Sequence, residues 1–209
     1  MTPSEDLLIH VIDDDAAFRR SLVFLLESMD WAVASHASAE DFLVATRIPG
    51  AAACLVLDIR MPMMSGLELQ QVLHQRGWQI PIVFITGHGD VELAVQAMKH
   101  GACDFLEKPF KDQALIDAVG RAVKLGCEAR ARHARGEEAK ALLDRLSPRE
   151  LEVARRVALG MPNKLVGREL EISEKTVHVH RHHVMEKTGV GSAAELARLM
   201  LRADPAALD

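Results

Sequence analysis

Asp13, Asp14, Asp58, Thr86 and Lys108 are the side chains whose types and settings suit chemistry. Each stands at the end of a short apolar run. Leu7–Ile12 leads into the aspartates, Cys54–Leu57 into Asp58 and Cys103–Leu106 toward Lys108, while Ile80–Thr86 closes on the threonine itself. Carboxylates brought together repel one another, and a hard divalent cation such as Mg²⁺ is the usual remedy. A lysine beside them binds phosphoryl oxygens as a point charge, and a threonine hydroxyl donates to them. The set suits phosphoryl transfer to a carboxylate. Taken singly, each acid reads as a solubilising loop residue; the full set in this order reads as a pocket. Asp15 precedes a helical stretch and reads as a favourable charge at a helix N-terminus rather than as a metal ligand.

That pocket requires a scaffold in which strand ends lie side by side. The apolar runs alternate with helix-period segments at Ala16–Asp30, Ser38–Ile48, Leu67–Gln75, Val91–Met98 and Asp112–Lys124, and Trp31–Ala37 supplies a further strand. Ser38 with Asp41, and Gly101, have the positions of a helix start and a helix stop. Five strands alternating with five helices predict right-handed crossovers and an α/β domain with a five-stranded doubly wound parallel sheet. Ligands bind such sheets at the carboxyl ends of the strands.

A helical, solvent-exposed linker is expected over 126–145, where the chain is charged, Ala-rich and almost free of large apolar residues. Beyond it the pattern is wholly helical and predicts a small all-α domain over 146–209. Ser147-Pro148 with Glu150 has the spacing of a capping box. Asn163–Leu170, a turn at Glu171-Ile172 and a second helix from Ser173 have helix-turn-helix spacing. On a helical wheel Val177, His180, Val184 and Thr188 share one side, and Lys175, His178, Val179, His182 and Glu186 the other. The second side can reach base edges, with Thr176 in the contact set, while Lys164, Arg181 and Lys187 are placed for phosphates. His178 and His182 stand four residues apart, so a metal reading stays open beside the DNA reading, although no nearby Cys completes a Zn set.

Composition sets the wider bounds. The 209 residues carry a net charge of −5, with 49% hydrophobic and 26% charged side chains, an ordinary globular balance. Residues 1–124 hold −7, whereas 125–145 and 146–209 hold +1 each, so two modules with different partners are indicated. The second module is not strongly basic, and charge alone would not predict DNA binding. The three cysteines form no CxxC pair, which argues against a disulfide framework or a zinc site. No apolar run reaches the roughly 18 residues of a membrane span, and the N-terminus lacks a basic n-region. A soluble, cytoplasmic protein without membrane contact is expected.

Through VIDDD, VLDIRMPMMSGLEL, VFITGHGD and GACDFLEKPF, residues 1–125 resemble a response-regulator receiver domain, which has a flavodoxin-like fold. The resemblance implies that Asp58 takes a phosphoryl group from a sensor histidine kinase. It implies Mg²⁺ ligation by Asp13, Asp14, Asp58 and the carbonyl of Arg60. It also implies that Thr86 and Lys108 read the phosphoryl group, that Phe105 is a switch aromatic and that Lys108-Pro109 is a cis peptide. Through LSPRELEV, NKLVGREL, ISEKTVHVHR and SAAELARLM, residues 146–209 resemble the LuxR/FixJ-type helix-turn-helix domain. Three residues depart from that pattern: Glu171 where Gly is usual, Thr188 for Leu and His178 for Lys. Together the halves imply a regulator that dimerises on phosphorylation, binds double-stranded promoter DNA and has RNA polymerase among its partners.

Two rivals remain at this level. A turnover phosphohydrolase would need a second acid close after the nucleophile, which Asp58-Ile59-Arg60 does not supply. A pseudo-receiver would lack the intact acid set. The chain is expected to modify itself rather than to act as an enzyme.

Overall fold

The computed structural model describes residues 8–46, 52–87 and 91–208. Its first part alternates β1 (Leu8–Ile12), α1 (Ala16–Glu27), β2 (Ala32–His36), α2 (Ala39–Ala45), β3 (Ala52–Asp58), α3 (Gly66–Gln75), β4 (Ile82–Thr86), α4 (Val91–Lys99), β5 (Asp104–Glu107) and α5 (Asp112–Leu143). The strands pair in parallel in the order β2-β1-β3-β4-β5. The expected doubly wound sheet is therefore present, and its topological switch lies between β1 and β3.

The central strands are buried on both faces. On one, Ile12, Leu57 and Phe84 pack against Phe42, Leu69, Leu73 and Ala97 of α2, α3 and α4. On the other, Val11, Val56 and Ile85 pack against Leu22 and Leu26 of α1 and Leu115 and Val119 of α5. Each of these Val, Leu, Ile and Phe side chains stabilises the fold by about 1.5–3 kcal/mol through burial. That double coverage explains why β4 reads as a continuous apolar run rather than an alternating one.

Helix ends follow local chemistry. Asp15, expected as a charge at a helix N-terminus, stands there and also caps α1 by accepting from the amides of Ala17 and Phe18. Ser65 and Glu68 form a capping box on α3. The helix α1 stops at Glu27 rather than at the predicted Asp30, because the chain turns through Asp30 at a φ of 59°. Strand β4 starts at Ile82, not Ile80; Pro81, which precedes it, has no amide to give a ladder. Leu7 of the predicted first strand, and Arg47 and Ile48 of the predicted second helix, lie outside the described residues.

The tract 126–145, expected as a helical linker, is helical to Leu143 and continuous with α5. The tract contains no proline to stop it. Gly126 permits α5 to lie against β3, since a Cβ there would stand 2.1 Å from the Ala53 carbonyl oxygen. The chain divides into compact units at 130/131, within this helix. The second unit comprises α6 (Pro148–Ala158), α7 (Asn163–Glu169), α8 (Glu174–Thr188) and α9 (Ala193–Ala203). Its core gathers Val153, Val157, Val166, Val177, Val184, Leu196 and Met200. Among the described residues, no helix is long and apolar enough to cross a membrane.

Candidate functional site

The carboxyl edge of the sheet gathers the residues singled out above. Asp13 follows β1 and Asp58 ends β3; the two are 2% and 6% exposed. The Lys108 ammonium joins them, donating to Asp13 Oδ2 at 2.9 Å and to Asp58 Oδ1 at 2.8 Å. The remaining oxygens are held by backbone: Asp13 Oδ1 accepts from the Asp15 amide at 2.8 Å, and Asp58 Oδ2 from the Arg60 amide at 2.7 Å. Burial pushes the Asp58 carboxyl above its ordinary pKa, against the pull of Lys108. Burial also draws Lys108 down, but the hydrogen bonds and charges of Asp13 and Asp58 outweigh it and carry the lysine above its usual value. The outcome is a buried, charged and relatively basic carboxylate with a committed counter-cation.

Asp14 and Arg60 are exposed, and Thr86 is buried at the end of β4. Among the described residues, no three His, Cys, Asp or Glu side chains stand in metal-binding geometry; here Lys108 is the counter-charge between Asp13 and Asp58. The Lys108-Pro109 peptide is cis. Phe105 on β5 pairs with Phe84 of β4 and is half-buried against the α2–α4 face.

Sequence reasoning missed three residues that shape this pocket. Phe18 places its ring centroid 3.9 Å from Lys108 Nζ. Arg19 donates to the Asp13 carbonyl at 2.5 Å, tying α1 to the end of β1. At Gly66, a Cβ would stand 2.3 Å from the Asp58 carbonyl oxygen, so only glycine lets α3 start this close to the site. The S-G pair before α3 was the one readable signal, and it reads equally as an ordinary helix start.

In the second unit α7 and α8 form a helix-turn-helix. Glu171 takes a φ of 54° in the turn, so this position keeps the left-handed backbone without the usual glycine. Val177, Val184 and Thr188 are buried and His180 half-buried, whereas Lys175, His178, Val179, His182 and Glu186 are exposed. Thr188 is accommodated in the core because its hydroxyl donates to the Val184 carbonyl at 2.6 Å. Lys164 is exposed, Thr176 is half-buried and its amide donates to the Ser173 hydroxyl that caps α8. Arg181 donates one hydrogen bond to Asn163, at 3.2 Å, and keeps other donors.

Lys187 departs from the expectation of a phosphate contact. Its ammonium lies 2.7 and 2.9 Å from the two carboxylate oxygens of Glu150, joining α8 to α6. That lysine first, with the Ser147 capping bonds, holds the Glu150 pKa down at about 2. The histidines of α8, at 178, 180, 182 and 183, do not converge on one point. His178 and His182 are exposed, His180 turns partly inward, and His183 Nδ1 stands 3.7 Å from Glu150. This arrangement does not favour a shared metal.

Comparison with known proteins matches both units. Residues 9–120 match the response regulator receiver domain family, and residues 144–200 the bacterial regulatory proteins of the luxR family. The chain is 48% identical to the transcriptional regulatory protein FixJ of Azorhizobium caulinodans, over 98% of this chain and 97% of that one. It is 44% identical to the response regulator protein TodT of Pseudomonas putida, over 93% and 86%. Among solved structures, the response regulator StyR superposes with a TM-score of 0.80 at 43% identity, covering 93% of this chain and 98% of that chain. With an acidic pocket at the sheet edge of one unit and a helix-turn-helix in the other, the chain belongs to the response regulators that join a receiver to a LuxR-type domain, and is a two-component transcription regulator.

Proposed function

We propose that Asp58 accepts a phosphoryl group from the phosphohistidine of a sensor histidine kinase, and that the modified receiver dimerises and raises affinity for promoter DNA. The observation that carries this reading is the buried Asp13–Lys108–Asp58 cluster at the strand ends. Receiver domains in general bind Mg²⁺. The donor set here fits it: carboxylates of Asp13, Asp14 and Asp58 and the Arg60 carbonyl are all hard oxygens. When bound, the ion supplies charge neutralisation to the phosphoryl oxygens.

The chain's own residues do the rest. The Arg60 amide fixes the orientation of Asp58, and burial strengthens its oxygen as a nucleophile. One Asp58 oxygen forms the O–P bond as the donor's P–N bond breaks; the leaving imidazole keeps the electron pair. Lys108 retains Asp13 as a partner and turns its other donor to a phosphoryl oxygen. The Thr86 hydroxyl donates beside it, and Phe105 follows inward from the neighbouring strand. Val91, Val95 and Met98 on α4 are exposed and offer an apolar face, and this shift moves it into the arrangement that packs against a second copy. Pairing matters because residues 146–209 carry only +1. Two copies on paired half-sites gain through effective concentration. Lys164, Lys175, Thr176, His178, Val179, Arg181 and His182 form the DNA contact set, and RNA polymerase is a partner of the bound dimer. The protein is a self-modifying phosphoacceptor of the cytoplasm, not a turnover enzyme. Intact mass after incubation with Mg²⁺ and acetyl phosphate tests the reading. One added phosphoryl group, absent from Asp58→Asn, is expected; no adduct together with no beryllofluoride complex would overturn it.

A further inference from the structure

The fold sets an aromatic ring against the lysine of the pocket. Phe18 sits in the first turn of α1, with its ring centroid 3.9 Å from Lys108 Nζ. The ammonium therefore has two carboxylates, at 2.8 and 2.9 Å, and the electron-rich face of a ring as its neighbours. The ring is itself held in place. Phe110, just beyond Lys108, meets it edge-on at 6.1 Å and 75°. Arg19, the next residue of α1, bonds the Asp13 carbonyl at 2.5 Å, so the turn carrying Phe18 is tied to the strand end carrying Asp13.

We propose that Phe18 is a positioning residue of the phosphoryl-accepting site: its ring holds the Lys108 ammonium over the Asp13–Asp58 cleft, ready for the incoming phosphoryl oxygens. This rests on the reading of Asp58 as the acceptor. Lysine is a strongly hydrated point charge on a flexible stem, and this one is 24% exposed, so water competes for it. An aromatic face favours the inward rotamers. An aliphatic side chain of similar size keeps the packing but has no such face. The contribution of a partly exposed cation–π contact corresponds to about fivefold in the population of the poised ammonium.

The test uses the full chain with Phe18→Leu and Phe18→Tyr, and Phe18→Met as a second aliphatic variant should leucine unfold it. In Mg²⁺-free NMR, the Lys108 side-chain methylene protons should show a ring-current shift in wild type and Phe18→Tyr that vanishes in Phe18→Leu. The initial rate of mass gain with Mg²⁺ and acetyl phosphate should fall about fivefold in Phe18→Leu and recover in Phe18→Tyr. Equal rates in leucine and tyrosine variants, or Lys108 protons that do not respond to the loss of the ring, would overturn the proposal. A wild-type chain that gains no mass refutes the acceptor reading instead, and the NMR comparison then decides the placement of Lys108 by itself.

Discussion

Acidification from pH 7 to pH 5 should weaken the receiver unit, with His10 the largest contributor. Its side chain lies on β1, 5% exposed, with Nδ1 2.9 Å from Nε2 of His36 on β2. The rings stack at 5.2 Å, and Phe42 meets them edge-on at 5.1 and 5.4 Å. Burial first, and His36 second, pull the His10 pKa from 6.5 down to about 4. His36 is lowered as well, by burial, against the opposing charge of Asp41. The unfolded chain therefore takes up a proton on His10 before the folded one does. Stability tied to the neutral ring is complete above pH 6.5 and is lost as the pH falls from there toward 4. That gap amounts to about 3 kcal/mol in full, of which about 2 kcal/mol is gone by pH 5. The two tryptophans, Trp31 and Trp78, both belong to the receiver unit, so urea unfolding followed by fluorescence reads that unit alone. Wild type should lose about 2 kcal/mol more than His10→Leu between pH 7 and pH 5. Parallel losses in both proteins would refute the reasoning.

Three other outcomes are expected. Lys187→Met should lower stability by about 1–2 kcal/mol, because Glu150 is 4% exposed and loses its main partner. The salt slope of DNA binding should stay as in wild type, whereas loss of a phosphate contact would reduce it by about one. Glu171→Gly should stabilise the helix-turn-helix unit by about 0.5–1 kcal/mol, read by circular dichroism in urea, since the left-handed backbone costs a non-glycine residue more. Gly66→Ala should cost about 1–3 kcal/mol and slow mass gain from acetyl phosphate, since the added methyl must displace the Asp58 carbonyl. An unchanged melting temperature would show that α3 shifts freely.

The order of elements and the convergence of the pocket were legible in the sequence. Strand periodicity and the handedness of crossovers place the ends of β1, β3, β4 and β5 on one edge, so Asp13, Asp58, Thr86 and Lys108 meet there whatever the helix details. Ser147 was legible as a cap and Asp15 as a charge at a helix N-terminus because both act on backbone a few residues away. Side-chain trajectories across elements were not legible. Whether Lys187 faces a phosphate or Glu150 depends on how α8 crosses α6, and no local pattern carries that angle. Phe18 reads as one more apolar residue of α1 until the end of β5 brings Lys108 under its ring. The linker was legible as helix, because nothing in its composition stops one; its continuity with α5, placed by Leu115 and Val119 on the sheet and by the approach of Gly126 to β3, was not. Sequence determined which groups share an edge, since periodicity and chain reversal are local; the tertiary structure decided which groups touch, since contact depends on packing between segments far apart in the chain.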